Sequence, residues 1–181
     1  MGTIAMSPPD DLDGNVRPYH DSIDIGAYEF RGPDCISFLS NVIYVDSSAN
    51  GIPDGNSWNT AFNSLQDALI AARFCDQVDT IKVAQGTYLP SQPDSVDVCG
   101  IITILPPSRF DFFFIPDSSV VLGGYPQGGE VNGPRDPHCN ITILSGDINH
   151  DGDSTGNSFN VVKTRNYSET IVFDGFIIEH G

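Results

Sequence analysis

The sequence predicts an all-β solenoid, one coil per repeat, closed at its N-terminal side by one amphipathic helix. Three observations predict it. Short β-rich runs recur from about residue 80 onward, mostly about 20 residues apart, with Gly, Pro, Asn and Asp filling the gaps. A meander repeats every 8 to 12 residues and a βαβ unit needs helices in those gaps, so neither fits. Only one stretch has a helical period, and it precedes most of the runs.

The elements follow in order. Residues 1–34 are rich in Pro, Asp and Gly, with one short strand signal at Ser22–Phe30. Val42–Asp46 reads as a strand, followed by turn chemistry in SSANGIPDGNSW. The helix is expected over Ala61–Arg73, because Ala61, Phe62, Leu65, Ala68, Leu69 and Ala72 form one stripe. Asn59 or Thr60 would cap it, and Trp58 would pack on its apolar stripe. The later runs are Thr80–Val83, Ile101–Ile104, Val120–Leu122, Ile141–Leu144, Asn160–Val162 and Thr170–Phe173. Stacked coils would bury their inward side chains at strand spacing, and the helix would cover the first exposed edge. Four or five coils are expected, with the far end open.

The charge balance limits the partners. Eight Lys and Arg stand against 24 Asp and Glu, a net charge of −16. Such a field repels phosphate backbones and anionic lipid, so neither nucleic acid nor membrane insertion is expected. No apolar run is long enough for a membrane-spanning helix. The N-terminus lacks the basic flank and apolar core of a secretory signal. Cys35, Cys75, Cys99 and Cys139 lack zinc-knuckle spacing; they allow two disulfides in any of three pairings, or free thiols.

From Ile43 onward the motifs IYVDSSANGIPDGNSWNTAFNSLQDALIAA, DTIKVAQGTYLP, VVLGGYPQGGE, TILSGDI and FDGFIIEHG occur in one order. In that order they resemble the opening of bacterial right-handed parallel β-helix proteins of the pectate-lyase-like superfamily. DLDGNVRPYHDSIDIGAYEF, residues 11–30, looks like the segment that closes such domains in choice-of-anchor type surface proteins. The resemblance implies a right-handed parallel β-helix over 42–181 preceded by the tail of another module in 1–34. It also implies a secreted or bacterial cell-surface location, and neighbouring β-helix modules in a longer parent chain.

The sharpest constellation is Asp147, Asn149, Asp151 and Asp153, positions 1, 3, 5 and 7 of an EF-hand-like loop, with Gly152 at position 6. Alternating oxygens around a Gly turn suit Ca²⁺, although Ser158 replaces the usual Glu at position 12. The alternative is a solvated acidic turn. Asp11, Asp13 and Asn15 form a weaker copy, better read as a plain turn. Lyases of this superfamily set a basic residue beside calcium-binding aspartates, and Lys163, Arg165, Asp147, Asp151 and Asp174 are the residues that could serve. No catalytic motif is matched, and His20, His138, His150 and His180 share no ligand spacing. Phe110, Phe112, Phe113, Phe114 and Tyr125 could stack on sugars, but inward packing explains them better. The functional expectation is therefore a module for adhesion or for glycan or surface-protein binding, steadied by calcium. A polysaccharide lyase or hydrolase of acidic glycans is the first alternative, and a non-binding spacer the second.

Overall fold

The computed structural model describes residue 10 and residues 35–91, 96–98, 101–103, 107–164 and 170–181. The chain divides into two units, Met1–Asp34 and Cys35–Gly181. The expected strand at 22–30, the acidic turn at 11–15, His20, Cys99 and Arg165 lie outside the described residues.

Within Cys35–Gly181 the strands are β1 (Val42–Val45), β2 (Thr80–Ala84), β3 (Gly86–Tyr88), β4 (Val96–Val98), β5 (Ile101–Thr103), β6 (Phe113–Ile115), β7 (Val120–Tyr125), β8 (Thr142–Ser145), β9 (Val162–Thr164), β10 (Val172–Asp174) and β11 (Ile177–Glu179). One helix, α1, spans Leu65–Phe74. The strands form a four-stranded sheet in the order β1-β2-β7-β10, a three-stranded sheet β11-β8-β3, and the pairs β4-β5 and β6-β9. All pairings are parallel except β4 with β5.

This corrects the expected all-β, right-handed parallel β-helix. The described residues form a mixed α/β arrangement of small sheets around one helix, and no closed solenoid is present among them. The even 20-residue spacing misled because it gave Ile101–Ile104 a coil of its own. That run pairs antiparallel with β4, while Thr80 registers directly with Val120. Nor is the helix only a lid. Leu65, Ala68, Leu69 and Ala71 are buried in the same core as Ile43, Val45, Ile81, Val83, Phe113 and Val121. Full burial of each Leu contributes about 2 kcal/mol, so α1 is a core layer in its own right.

The helix begins later than its periodicity suggests. Ser64 is the N-cap, its side chain accepting from Gln66 N–H, while Trp58–Thr60 forms a separate 3-10 turn capped by Ser57. Phe62 bridges to Val45 in a strand-like pairing, which pulls 61–63 out of the helix. A disulfide joins Cys35 to Cys75, fixing the segment before β1 to the C-cap of α1. Cys139 is an exposed free thiol.

Strand register positions the site. Side chains alternate faces along a strand, so parallel partners carry the same face across the sheet. Ile43, Ile81, Val121 and Phe173 form an inward row, and Tyr44, Lys82, Leu122 and Asp174 an outward one. The register slips between Lys82 and Ala84, setting Ala84 opposite Tyr125.

Candidate functional site: an aromatic and amide pocket at Trp58

The outward row ends in an aromatic corner. The Trp58 ring centroid lies 4.9 Å from that of Tyr44 and 5.3 Å from that of Tyr125, both tilted. Trp58 Nε1 donates to Glu130 Oε2 at 2.7 Å. Lys82 Nζ donates to Glu130 Oε1 at 2.5 Å and sits 5.8 and 5.3 Å from the Tyr44 and Tyr125 centroids. Arg135 lies over Tyr125, donates to the Gly123 carbonyl and pairs with Asp174.

The electrostatics follow from these contacts. Burial alone would raise the Glu130 carboxyl, but its hydrogen bonds to Lys82 and Trp58 hold it below its ordinary value. Burial alone would lower Lys82, yet the Glu130 contact raises it above a free lysine. Burial raises the Tyr125 phenol.

Beneath this corner the turn after β1 is tied to the turn after β7. Asp46, 1% exposed, accepts from Ser48 N and Oγ at 2.8 and 2.6 Å through Oδ1, and from Gly128 N at 2.7 Å through Oδ2. A buried carboxylate needs such partners, so this one fixes two chain segments 82 residues apart. Gly129 has φ 81°, and a Cβ there would fall 2.0–2.2 Å from three atoms of the Trp58 indole. Only glycine lets the backbone approach the ring this closely.

Between the two turns opens a cavity of about 380 Å³, walled by the Trp58 indole and exposed Val131 and rimmed by Asn50, Asn59 and Asn132. Asn132 Nδ2 is held by the Gln127 carbonyl at 2.8 Å. An aromatic wall, rim amides of which Asn132 is held in place, and a size above 300 Å³ suit a small polar ligand with apolar faces.

The residues singled out by motif lie elsewhere. Asp147, Asn149, Asp151 and Asp153 do come together on one surface loop, but the three carboxylates face the loop's own donors. Asp147 accepts from Asp151 N and Gly152 N at 3.2 and 3.1 Å. Asp151 accepts from Asp153 N at 2.9 Å and Asn149 Nδ2 at 2.6 Å. Asp153 accepts from Thr155 N and Oγ1, both at 2.5 Å, and those bonds hold its carboxyl below the ordinary value. Among the described residues no three His, Cys, Asp or Glu side chains are arranged to hold a metal ion.

Of the candidate catalytic residues that are described, Lys163 and Asp174 stand in different sheets. Lys163 on β9 lies 4.0 Å over Phe112, whereas Asp174 on β10 is paired with Arg135. Ser145 Oγ and Glu179 Oε1 both face His180 Nδ1, at 3.2 and 3.6 Å. A Ser-His-acid relay needs hydroxyl and acid on opposite ring nitrogens, so this is not one. Among the aromatic run, Phe113 is fully buried as packing requires, while Phe110 is exposed and packs at a tilt against Phe159.

Trp58, Asn50, Asn59, Asn132 and the buried Asp46 were missed as a group by sequence reasoning. Their one visible signal is the lone Trp beside turn-rich amides. Searches with the chain found no matching family model, no matching curated protein and no matching solved structure.

Proposed function

We propose that the Cys35–Gly181 unit is a binding module for saccharides, with an uncharged sugar ring seated against Trp58 in the cavity between the two turns. The observation that carries this reading is the fixing of the indole from several sides, by Tyr44, Tyr125, the Gly129 backbone and the Glu130 hydrogen bond. A platform already held in place loses little entropy on binding, so ring stacking and amide hydrogen bonds become net affinity. Binding is favoured over cleavage because no described pair of catalytic type flanks this cavity. An adhesion role at a cell surface is consistent with it.

Calcium is a separate, structural part of the proposal. It rests on the gathering of Asp147, Asn149, Asp151 and Asp153 on one loop, where the Asp147 and Asp151 oxygens each accept one bond and keep a second lone pair. The loop steadies the unit and takes no part in ligand contact.

An array of immobilised neutral and acidic oligosaccharides tests the binding reading. The wild-type chain should retain a subset of neutral glycans, and Asn132→Ala and Asn50→Ala should each lose about tenfold in affinity. Retention unaffected by both substitutions would remove the cavity from the account.

A further inference from the structure

We propose a second, independent ligand site: the cavity at the C-terminal end of α1 binds a small zwitterion carrying both an ammonium and a carboxylate, of the α-amino acid class. This cavity, of about 350 Å³, is bounded by the end of α1, the loop leading to β2 and the loop between β6 and β7. Its size falls in the range of small-molecule sites. Buried Val78 and Pro116, with the Phe114 ring, give it an apolar floor and wall.

The charged groups are divided in a way that selects the ligand. Arg73 lies 5.2 Å from the centroids of both Phe74 and Phe114, so its guanidinium is oriented by two rings. Among the described residues it makes no ion pair. An oriented planar fork is the preferred partner of a carboxylate.

Asp76, Asp79 and Asp117 line the same cavity. The Asp79 carboxylate is already occupied by Asn41 Nδ2 at 3.0 Å and Thr80 Oγ1 at 2.6 Å. Asp117 differs, because its Oδ1 is buried with no donor among the described residues. A partly buried carboxylate with no compensating donor is costly, and an ammonium seated in the cavity that Asp117 lines balances its charge. A simple anion would meet three carboxylates, and a simple amine would leave the Arg73 fork unmatched. A zwitterion answers both, and the apolar floor accepts a short aliphatic side chain.

Isothermal calorimetry on the full chain tests this with L-leucine, 3-methylbutylamine, which lacks its carboxylate, and 4-methylpentanoate, which lacks its ammonium. L-Leucine should bind at or below about 1 mM, and each truncated probe at least tenfold more weakly. Arg73→Gln and Asp117→Asn should each abolish L-leucine binding. The melting temperature and Trp58 emission of each variant, compared with wild type, report whether the fold is kept. Amine binding equal to that of L-leucine, or L-leucine binding unchanged in a folded Arg73→Gln or Asp117→Asn variant, overturns the zwitterion. No heat with any of the three probes overturns the site.

Discussion

Two polar regions of this chain solve the same problem in opposite ways. At the Trp58 corner the polar groups are held by residues far away in sequence: Asp46 by Gly128, Trp58 by Glu130, Lys82 by Glu130. In the loop 147–155 every side-chain bond reaches only two to six residues along the chain. The first arrangement exists only when the sheet and its turns are formed. The second is local turn chemistry that needs little of the fold around it. A long-range network makes a rigid, shaped cavity, whereas a local one makes an ordered but exposed turn.

Two glycines of similar backbone geometry break this comparison most sharply. Gly129 and Gly152 have φ of 81° and 73°. A Cβ at Gly129 collides with the indole, and one at Gly152 meets nothing within 4 Å. Gly129→Ala should cost about 3 kcal/mol or more and shift Trp58 emission, whereas Gly152→Ala should cost about 1 kcal/mol, the strain of the left-handed backbone alone. Chemical denaturation with fluorescence detection measures both, and equal costs would mean the indole is not clamped. Asp46→Ala comes next, at about 2 kcal/mol, because it removes the buried acceptor that ties the part-buried donors of Ser48 and Gly128 together. Asp147→Ala, in the exposed loop, should cost under about 1 kcal/mol since water can replace its carboxylate.

Acidification sharpens the contrast on a smaller scale. The Glu130 carboxyl is held below its ordinary value in the folded chain, so its contribution is present above the unfolded carboxyl pKa and is lost as pH falls through the lower folded one. Its side chain is 44% exposed, which limits the effect to less than about 1 kcal/mol. Glu130→Gln should remove that part of the acid dependence and loosen Trp58, seen as a red-shifted emission that no longer responds to pH. An unchanged acid profile would place the dependence on other carboxyls.

Calcium is the mildest probe. Millimolar Ca²⁺, against an ionic-strength control, should raise the melting temperature by about 2 °C in wild type and not at all in Asp147→Ala/Asp151→Ala. Trp58 emission should be unchanged in both. A calcium-dependent change in that emission would join the two regions that the structure keeps apart.

What was legible in the sequence follows the same division. The acidic loop could be found because its residues are spaced along a few positions, and it does form one loop. Thr80–Val83, Val120–Leu122 and Ile141–Leu144 could be found as strands because each is a run rich in β-branched residues and bounded by turn residues. The pairing of those strands could not, because alternation within a run says nothing about which distant run it joins. That is why the run Ile101–Ile104 was given a coil, although its strand Ile101–Thr103 pairs antiparallel with β4. Trp58 was assigned to the helix stripe on proximity alone. Its true neighbours, Tyr125, Gly129 and Glu130, lie about 70 residues away, and only the register of β2 on β7 brings them to it.

The most direct test of the central claim uses the fact that Trp58 is the only tryptophan in the chain. Its emission therefore reports the cavity with no background from other indoles. Titrating the wild-type chain with the neutral oligosaccharides retained on the array should give a saturable change in intensity and a blue shift, as a sugar ring displaces water from the indole. The same titration of Asn132→Ala should require about ten times more ligand. Saturable binding by calorimetry with no change in Trp58 emission would contradict the account, because the ligand would then be seated elsewhere on the molecule.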